Sequence, residues 1–555
     1  MMLIALILAT TTPAAVEQAL AAAGPGTRIG LVVVDEGQVV GVISRRDVDR
    51  AAHHEMAAVP VKGIMSHQVI TVPPDTPLSE VEQLMIEHDV GRLPVMMDEA
   101  LVGVVTRTDL LRVMYAHREV RKRAVKRQIS EMTELIRTVW PKPWWELAAR
   151  IGEVAGDRPL YLVGGSVRDL LLGIPNLDVD VIVEGDGIAL ATEVAEAIPG
   201  TTLNTHPKFG TAQLLFPDGR KVDVASARTE FYTHPAALPT VEFSSIKQDL
   251  FRRDFSVNAL ALRLNQAHFG ELLDFFSSRG DLDRGVLRVL HNLSFIEDPT
   301  RLLRGVRFEQ QLHFRLEPQT EDFARYAMRT GRFDGMGGDR VKRELKRILA
   351  LRDPLSAAKR LSDLDGWRLV HPALAPGDET WWLFARARHL FRFLGAEAEP
   401  LRWLTYLAIV LRTLPREAVA TTLNRLSLPK DEQHEVLQAL EAEDRLAEVA
   451  SLGALDSVER YHRLSAYGPA VLVYLAAIAT APGTRRSLVD HWLNVRPITL
   501  SVDGKDLKAL GLPPGPRYGE ILKAVMDARL SGRIHTPDEE RALLTELARS
   551  PEKDS

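Results

Sequence analysis

Between residues 161 and 184 the chain reads YLVGGSVRDLLLGIPNLDVDVIVE, and several of its residues are of types that handle phosphates. Gly164 and Gly165 let a backbone approach a ligand closely, and the helix they open offers unpaired N–H groups at its start. Ser166 adds a hydroxyl and Arg168 a permanent positive charge, together the field a triphosphate needs. Asp178 and Asp180 are two positions apart, so on a strand they project from the same face and their carboxylates converge. Carboxylates held that close repel each other unless a cation lies between them. Mg2+ is hard, prefers oxygen ligands and bridges nucleotide phosphates during in-line displacement, which makes it the expected ion. Asp223, in KVDVAS, is the candidate third carboxylate on a further strand. A lone pair of this kind is often only a solvated strand edge; behind Gly-Gly-Ser-Val-Arg-Asp the metal reading is preferred.

A second constellation lies in EDPTRLLRGVRF, where Asp298, Arg301, Arg304 and Arg307 recur at helical spacing and are expected on one face. Asp298 can accept a hydrogen bond from the exocyclic amine of adenine or cytosine, and Arg301 can donate to adenine N1 or cytosine N3. Uracil and guanine present the opposite pattern and would leave polar groups unpaired. Such a pair selects A or C without any template. Arg304 and Arg307 are then left to reach phosphates or to fix Asp298, although a salt-bridged helix surface would use the same residues.

The elements that must position these groups follow from the wider pattern. The chain has 555 residues, net charge -5 and 46% hydrophobic positions, enough for several packed domains and too acidic for a uniform nucleic-acid coat. With no cysteine there is no disulfide, thiolate metal site or cysteine nucleophile, and a cytoplasmic location is the default. The apolar run over residues 1–9 is too short to span a bilayer, so no membrane partner is expected and a buried strand or helix is. Residues 29–49 and 89–110 each read strand, acidic turn, strand, then a polar turn into a helix at Ser44 or Thr106. Residues 110–138 lack Gly and Pro and carry Arg118, Arg121, Lys122, Arg123, Lys126 and Arg127, a connecting helix whose basic run is either a solvated face or a phosphate contact. Trp144 and Trp145 are expected in a core. Short strands and glycine turns alternate with helices from 158 to about 275, and beyond about 285 the pattern is helical.

The repeated segments resemble a pair of CBS domains, the first copy (1–57) partial or degenerate and the second (58–116) complete. In such modules the turns Gly41/Ser44/Asp47 and Gly103/Thr106/Asp109 imply an adenine-nucleotide site; plain helix caps, or a pair that makes a homodimer, account for the same residues. The region from about 140 to 555 resembles the class II tRNA nucleotidyltransferase/poly(A) polymerase family. The likeness implies a multi-domain chain: an α/β CBS pair, linker helices (117–157), an α+β polymerase-beta-like head (158–285), a neck bearing the base-selecting residues (286–350), and an all-α body and tail that bind tRNA (351–555). It implies that Gly164, Gly165, Ser166 and Arg168 hold the triphosphate, that Asp178, Asp180 and Asp223 are catalytic with Mg2+ on the first two, that Arg253, Asp254 and Asn258 order the ribose pocket, and that Asp274 through Asp281 form a hinge. Asp339 stands where the family generally has glutamate, and Asp503 through Gly519 resembles the tRNA-facing tail.

A 3′-hydroxyl of tRNA would attack the α-phosphate of ATP or CTP and release pyrophosphate. The long segment between Arg228 and Arg252 resembles the loop associated with A addition, which disfavours a CC-only enzyme. A CBS pair ahead of the head resembles longer, multi-domain A-adding relatives, so terminal A addition is expected first, complete CCA addition close behind and poly(A) synthesis third. Some multi-domain A-adding relatives begin with a DHH phosphoesterase domain, and no Asp-His-His occurs here: that domain is absent, or the chain begins after it. A CBS-regulated RNA-binding protein with a dead head is the reading from another class, and the intact Asp178/Asp180 pair argues against it.

Overall fold

Short Val/Ile/Leu runs closed by glycine or acidic turns become strands, and the longer Leu/Ala/Arg segments become helices. The structure is a computed structural model that describes residues 3–22, 29–54, 56–67, 69–88, 90–107, 109–110, 118–231, 240–331, 336–445 and 456–550. The chain divides into one unit of residues 1–336 with 364–366, and another of residues 337–363 with 367–555.

The first unit begins with β1 (Leu3–Leu8), α1 (Pro13–Ala22), β2 (Ile29–Asp35), β3 (Gln38–Ile43) and α2 (Arg45–His53). The opening apolar run is a strand, parallel to β2, which pairs antiparallel with β3. The second copy carries α3 (Leu78–Glu87) and the antiparallel pair β4 (Arg92–Met97) and β5 (Ala100–Thr106). Val72 bridges Val95 in the parallel sense, the place that β1 takes beside β2. Both hairpins turn at a left-handed acidic residue, Glu36 (φ 49°) and Asp98 (φ 54°), so the repeat seen in the sequence is a repeat of structure.

The connecting helix α4 (Arg118–Val139) and α5 (Lys142–Ala155) lead into the head; the side chains of the basic run on α4 lie outside the described residues. Trp144 and Trp145 are half-buried against the core rather than within it, because both fall in the first turn of α5 beside Pro143, at the rim of the sheet.

The head is built from β6 (Leu160–Val163), α6 (Gly165–Leu171), β7 (Val179–Val183), α7 (Gly187–Ala197), β8 (Thr202–His206), β9 (Thr211–Leu215), β10 (Lys221–Ser226), a small hairpin of β11 (Arg228–Phe231) and β12 (Thr240–Phe243), α8 (Ile246–Phe251), β13 (Leu260–Arg263) and β14 (Leu272–Asp274). Its sheet has seven strands in the order β14-β13-β6-β7-β10-β9-β8. Val179, Val181, Val183, Val222 and Val224 face one core with α4, α5 and α7, whereas Tyr161, Ile182 and Ala261 face a smaller one with Ile246 and Leu250 of α8. Strand alternation therefore puts Asp180 on the face opposite the larger core.

The unit continues with α9 (Ser278–Arg284), α10 (Ser294–Glu297), α11 (Thr300–Leu312) and α12 (Pro318–Thr330), with a two-residue parallel pairing of Val286–Leu287 and Arg315–Leu316. The second unit is helical from Gly338–Leu349 to Pro537–Arg549. Its helix Arg402–Leu411 is buried along its whole length, and Pro469–Ile478 is buried from Ala470 onward. The last segments gather a small core of their own around Leu507, Val525 and Leu544. Among the described residues no helix is long and apolar enough to cross a membrane.

The helix α5 approaches the end of β13 so closely that a Cβ on Gly152 would lie 2.0 Å from the Leu264 carbonyl oxygen. A backbone group cannot swing aside, so Gly152→Ala should lower the unfolding free energy by about 1–3 kcal/mol. Gly280, helical and with nothing near its missing Cβ, should gain about 0.5–1 kcal/mol as alanine. Urea unfolding of the two variants checks the contrast.

Candidate active site

The strand β6 ends at Gly164, whose φ of 74° suits glycine. A Cβ there would sit 2.7 Å from Arg253 Nη1, a contact that the flexible arginine could relieve by shifting. The hydroxyl of Ser166 donates to the Asp178 carbonyl at 2.6 Å, so it pins the start of β7. Asn176 grips the same segment, accepting from the Asp178 N–H at 2.9 Å and donating to Asp169 Oδ2 at 2.7 Å. Sequence reasoning passed over Asn176, although its place two residues before the first aspartate was the available signal.

The register of β7 on β10 sets Asp180 opposite Asp223. Asp178, Asp180 and Asp223 each offer a carboxylate oxygen within 4.8 Å of the others. Lys221 Nζ lies 3.1 Å from Asp223 Oδ2 and Gln213 Nε2 donates to Asp223 Oδ1 at 2.9 Å, so that carboxylate is partly compensated. Asp180 is not: enclosure of its carboxyl, then the charge of Asp178, push its pKa up to about 6 despite the pull of Arg253. Three oxygen donors whose repulsion is only partly relieved fit a hard divalent cation.

Arg168, expected on the triphosphate, stands at the glycine turn, where its Nη2 would lie 3.5 Å from a Cβ on Gly165. It is buried, with Nε 2.7 Å from Asp169 Oδ1 and Nη1 2.8 Å from Asn258 Oδ1, so its guanidinium braces the ribose-motif residues from inside. Arg253 also stands beside the glycine turn, itself anchored on Asp249 at 3.2 Å. Asn258 Nδ2 donates to Asp254 Oδ1 at 3.0 Å, and Arg304 pairs with Asp254 Oδ2 at 2.6 Å. Burial alone would raise the Asp254 carboxyl, but the Arg304 charge and hydrogen bonds from Asn258, Arg304 and the Phe255 N–H hold it down at about 2.

The expectation of one helix face for Asp298, Arg301, Arg304 and Arg307 is corrected. Asp298 is extended (φ -140°, ψ 91°) and caps the end of α10, while α11 starts after Pro299. Proline disfavours a helical residue before it, so the run breaks there. Asp298 Oδ1 instead accepts from the N–H and hydroxyl of Thr300, at 3.0 and 2.5 Å. Arg301, in the first turn of α11, is buried and donates to Ser294 Oγ and, at 2.7 Å, to the Arg252 carbonyl. Arg304 holds Asp254, and Arg307 donates to Gln311 at 2.8 Å with its guanidinium 4.5 Å from the centre of the Phe308 ring. Phe308 also lies under Arg168 and Arg304, at 5.3 and 5.5 Å, a role that its helical position alone did not disclose.

In the expected hinge, Asp274 accepts from the N–H groups of Phe276, Ser278 and Arg279, at 3.2, 2.8 and 3.0 Å. Asp281 is buried against Ser256, Arg284 and Arg288. The segment expected to act as the A-addition loop falls in part on residues 232–239, outside the described residues. In the second unit Asp339 pairs with Lys342 and Arg343 of its own helix, at 2.9 and 2.7 Å. The two N-terminal turns are occupied by reciprocal caps: Ser44 Oγ donates to Asp47 Oδ2 at 2.6 Å and Thr106 Oγ1 to Asp109 Oδ2 at 2.5 Å.

A strand, a Gly-Gly turn into a helix and three carboxylates on adjacent parallel strands make the layout of a nucleotidyl-transfer site. Residues 160–288 match the poly A polymerase head domain, and residues 7–54 and 61–116 match the CBS domain. An A-adding tRNA nucleotidyltransferase of Geobacter sulfurreducens is 39% identical, the alignment covering 93% of this chain and 61% of that protein. A CC-adding tRNA nucleotidyltransferase of Deinococcus radiodurans is 34% identical over 72% of this chain and 91% of its own. Among solved structures, the Thermotoga maritima CCA-adding enzyme complexed with tRNA is similar at a TM-score of 0.59 and 30% identity, covering 76% of this chain and 98% of that one. The chain belongs to the tRNA nucleotidyltransferase family.

Two outcomes follow from the electrostatics. Without divalent ions, Asp180→Asn should raise the thermal midpoint by a few degrees, because it removes a like charge from the triad; the same variant should lose most of the further rise that millimolar Mg2+ gives the parent protein. Asp254, with its folded pKa lowered, stabilises the head fully above the unfolded carboxylate range near pH 4 and progressively less as the pH falls toward about 2. The urea midpoint measured between pH 5 and 3 should therefore fall more gently in Asp254→Asn than in the parent.

Proposed function

We propose that this protein adds the AMP of ATP to the 3′ end of a tRNA ending in CC, without a template and with release of pyrophosphate. The observation that carries the reading is the likeness to the A-adding Geobacter enzyme, which runs across nearly the whole of this chain. The chain spans less than two thirds of that relative's length, so activity and substrates rest on the residues present here. Asp178 and Asp180 would hold Mg2+, with Asp223 as the third carboxylate beside them. Bound there, the ion lowers the pKa of the attacking hydroxyl and neutralises charge on the phosphates.

The chain's own groups supply binding and orientation. The turn at Gly164, Gly165 and Ser166 together with Arg168 and Arg253 receives the triphosphate. Asp254 and Asn258, stiffened by Arg304 and Arg168, line the ribose pocket. Asp298 accepts from the exocyclic amine of adenine while Arg301 donates to N1. Ser294 and the Arg252 carbonyl hold Arg301 before the base arrives, which reduces the ordering cost of binding. The primer 3′-oxygen then forms a bond to the α-phosphorus as the bond to the pyrophosphate oxygen breaks, and the hydroxyl proton leaves to solvent.

Asp298 and Arg301 suit cytosine as well, so complete CCA addition with CTP and ATP is the second reading and poly(A) synthesis the third. The purified protein with Mg2+ is given tRNAs ending at the discriminator base, at C or at CC, with ATP, CTP or both, and the 3′ ends are sequenced. Growth of the CC-ended tRNA alone, by one A, is the expected result. Extension of all three to CCA would replace the proposal with the second reading, and no extension would overturn it. Asp180→Asn should lose at least about 100-fold in rate.

A further inference from the structure

The neck contains a buried carboxylate that the reaction does not use. Glu297, the residue before Asp298, is 6% exposed. Its Oε1 lies 3.3 Å from Arg50 Nε and 3.4 Å from His54 Nε2, and its Oε2 lies 3.2 Å from His291 Nε2. Arg50 lies on α2 of the N-terminal module and His54 caps that helix, so two of the three groups facing Glu297 come from the module, more than 240 residues away in sequence. Burial and the nearby Arg50 charge lower the His291 pKa to about 4, which leaves that ring neutral, while Glu297 stays ionised. Arg50 is thus the permanent cation on this anion.

Arg50 also touches the second segment that holds the base-reading pair. Its guanidinium stands 4.8 Å from the centre of the Phe251 ring. The next residue, Arg252, gives its carbonyl to Arg301, and Ser294, at the other end of the one-turn helix that Glu297 closes, gives Arg301 its hydroxyl. The same face is fastened again where Asn292 Nδ2 donates to the Ile64 carbonyl at 2.7 Å.

We propose that the N-terminal module is a structural part of the nucleobase-selecting site: Arg50 and His54 hold Glu297, and with Phe251 fix the segments that carry Asp298 and Arg301. Arg50, His54 and Glu297 are positioning residues, since they act through the pair that meets the base. The proposal rests on the reading that Asp298 and Arg301 select adenine. Displacing that pair weakens adenine recognition and leaves the tRNA-binding region alone.

The test uses the full chain carrying Arg50→Gln, Arg50→Lys, or Lys62→Ala, the last removing an exposed ion pair to Asp35 in the same module. Arg50→Gln should raise KM for ATP about tenfold and lower discrimination against GTP about tenfold, with KM for tRNA unchanged. Arg50→Lys should recover part of both losses, and Lys62→Ala should match the parent. If Arg50→Gln fails to fold, the double variant Arg50→Gln/Glu297→Gln, which leaves no buried charge unpaired, carries the same expectation. Parent values of KM for ATP and of selectivity in the folded variant would overturn the proposal. A parent protein that extends no tRNA would instead defeat the functional reading; the ratio of ATP to GTP equilibrium binding in the same variants then decides the present point by itself.

Discussion

Three carboxylates of like charge are forced together where β7 and β10 run parallel, and the head is arranged around that repulsion. The register that puts Asp180 opposite Asp223 comes from the valines alternating with them, which pack into the larger core. Hydrophobic burial on one face of the sheet thus holds an electrostatically unfavourable cluster on the other. Asp178 is fixed from below by Ser166 and Asn176, so the cluster cannot relax by letting the strand start fray. Local destabilisation of this kind fits a site that could hold a cation.

Around the cluster the arginines divide into two groups with different work. Arg168, buried, and Arg304, a third exposed, are braces: they tie Asn258 and Asp254 into one network, and both stand over the ring of Phe308. Arg253 faces the glycine turn, the position proposed for the triphosphate. A guanidinium suits either task because it stays charged when buried and donates in a planar fork. Residue type alone therefore does not tell brace from ligand.

The fold class, the repeat in the N-terminal module and the acidic triad were legible because each rests on a local period or a short spacing. Alternation placed Asp178 and Asp180, and a lone valine-flanked aspartate pointed to Asp223. The helical face assigned to Asp298 failed on one residue, Pro299, whose effect on its neighbour outweighs the spacing of the arginines. The partners of Glu297 were not legible at all. No periodicity links Arg50 and His54 to a residue so distant in the chain, and only the folded unit brings them together.

The central claim is that the carboxylate triad and the pair Asp298/Arg301 serve one bound nucleotide. The measurement that tests it most directly is a crystal structure with a non-hydrolysable ATP analogue and Mn2+, located by its anomalous scattering. The account predicts a manganese peak between the carboxylates of Asp178 and Asp180, the triphosphate along the turn at Gly164, and the adenine edge hydrogen-bonded to Asp298 and Arg301. A nucleotide whose base lies away from Asp298 and Arg301, or a metal peak remote from the triad, would contradict it.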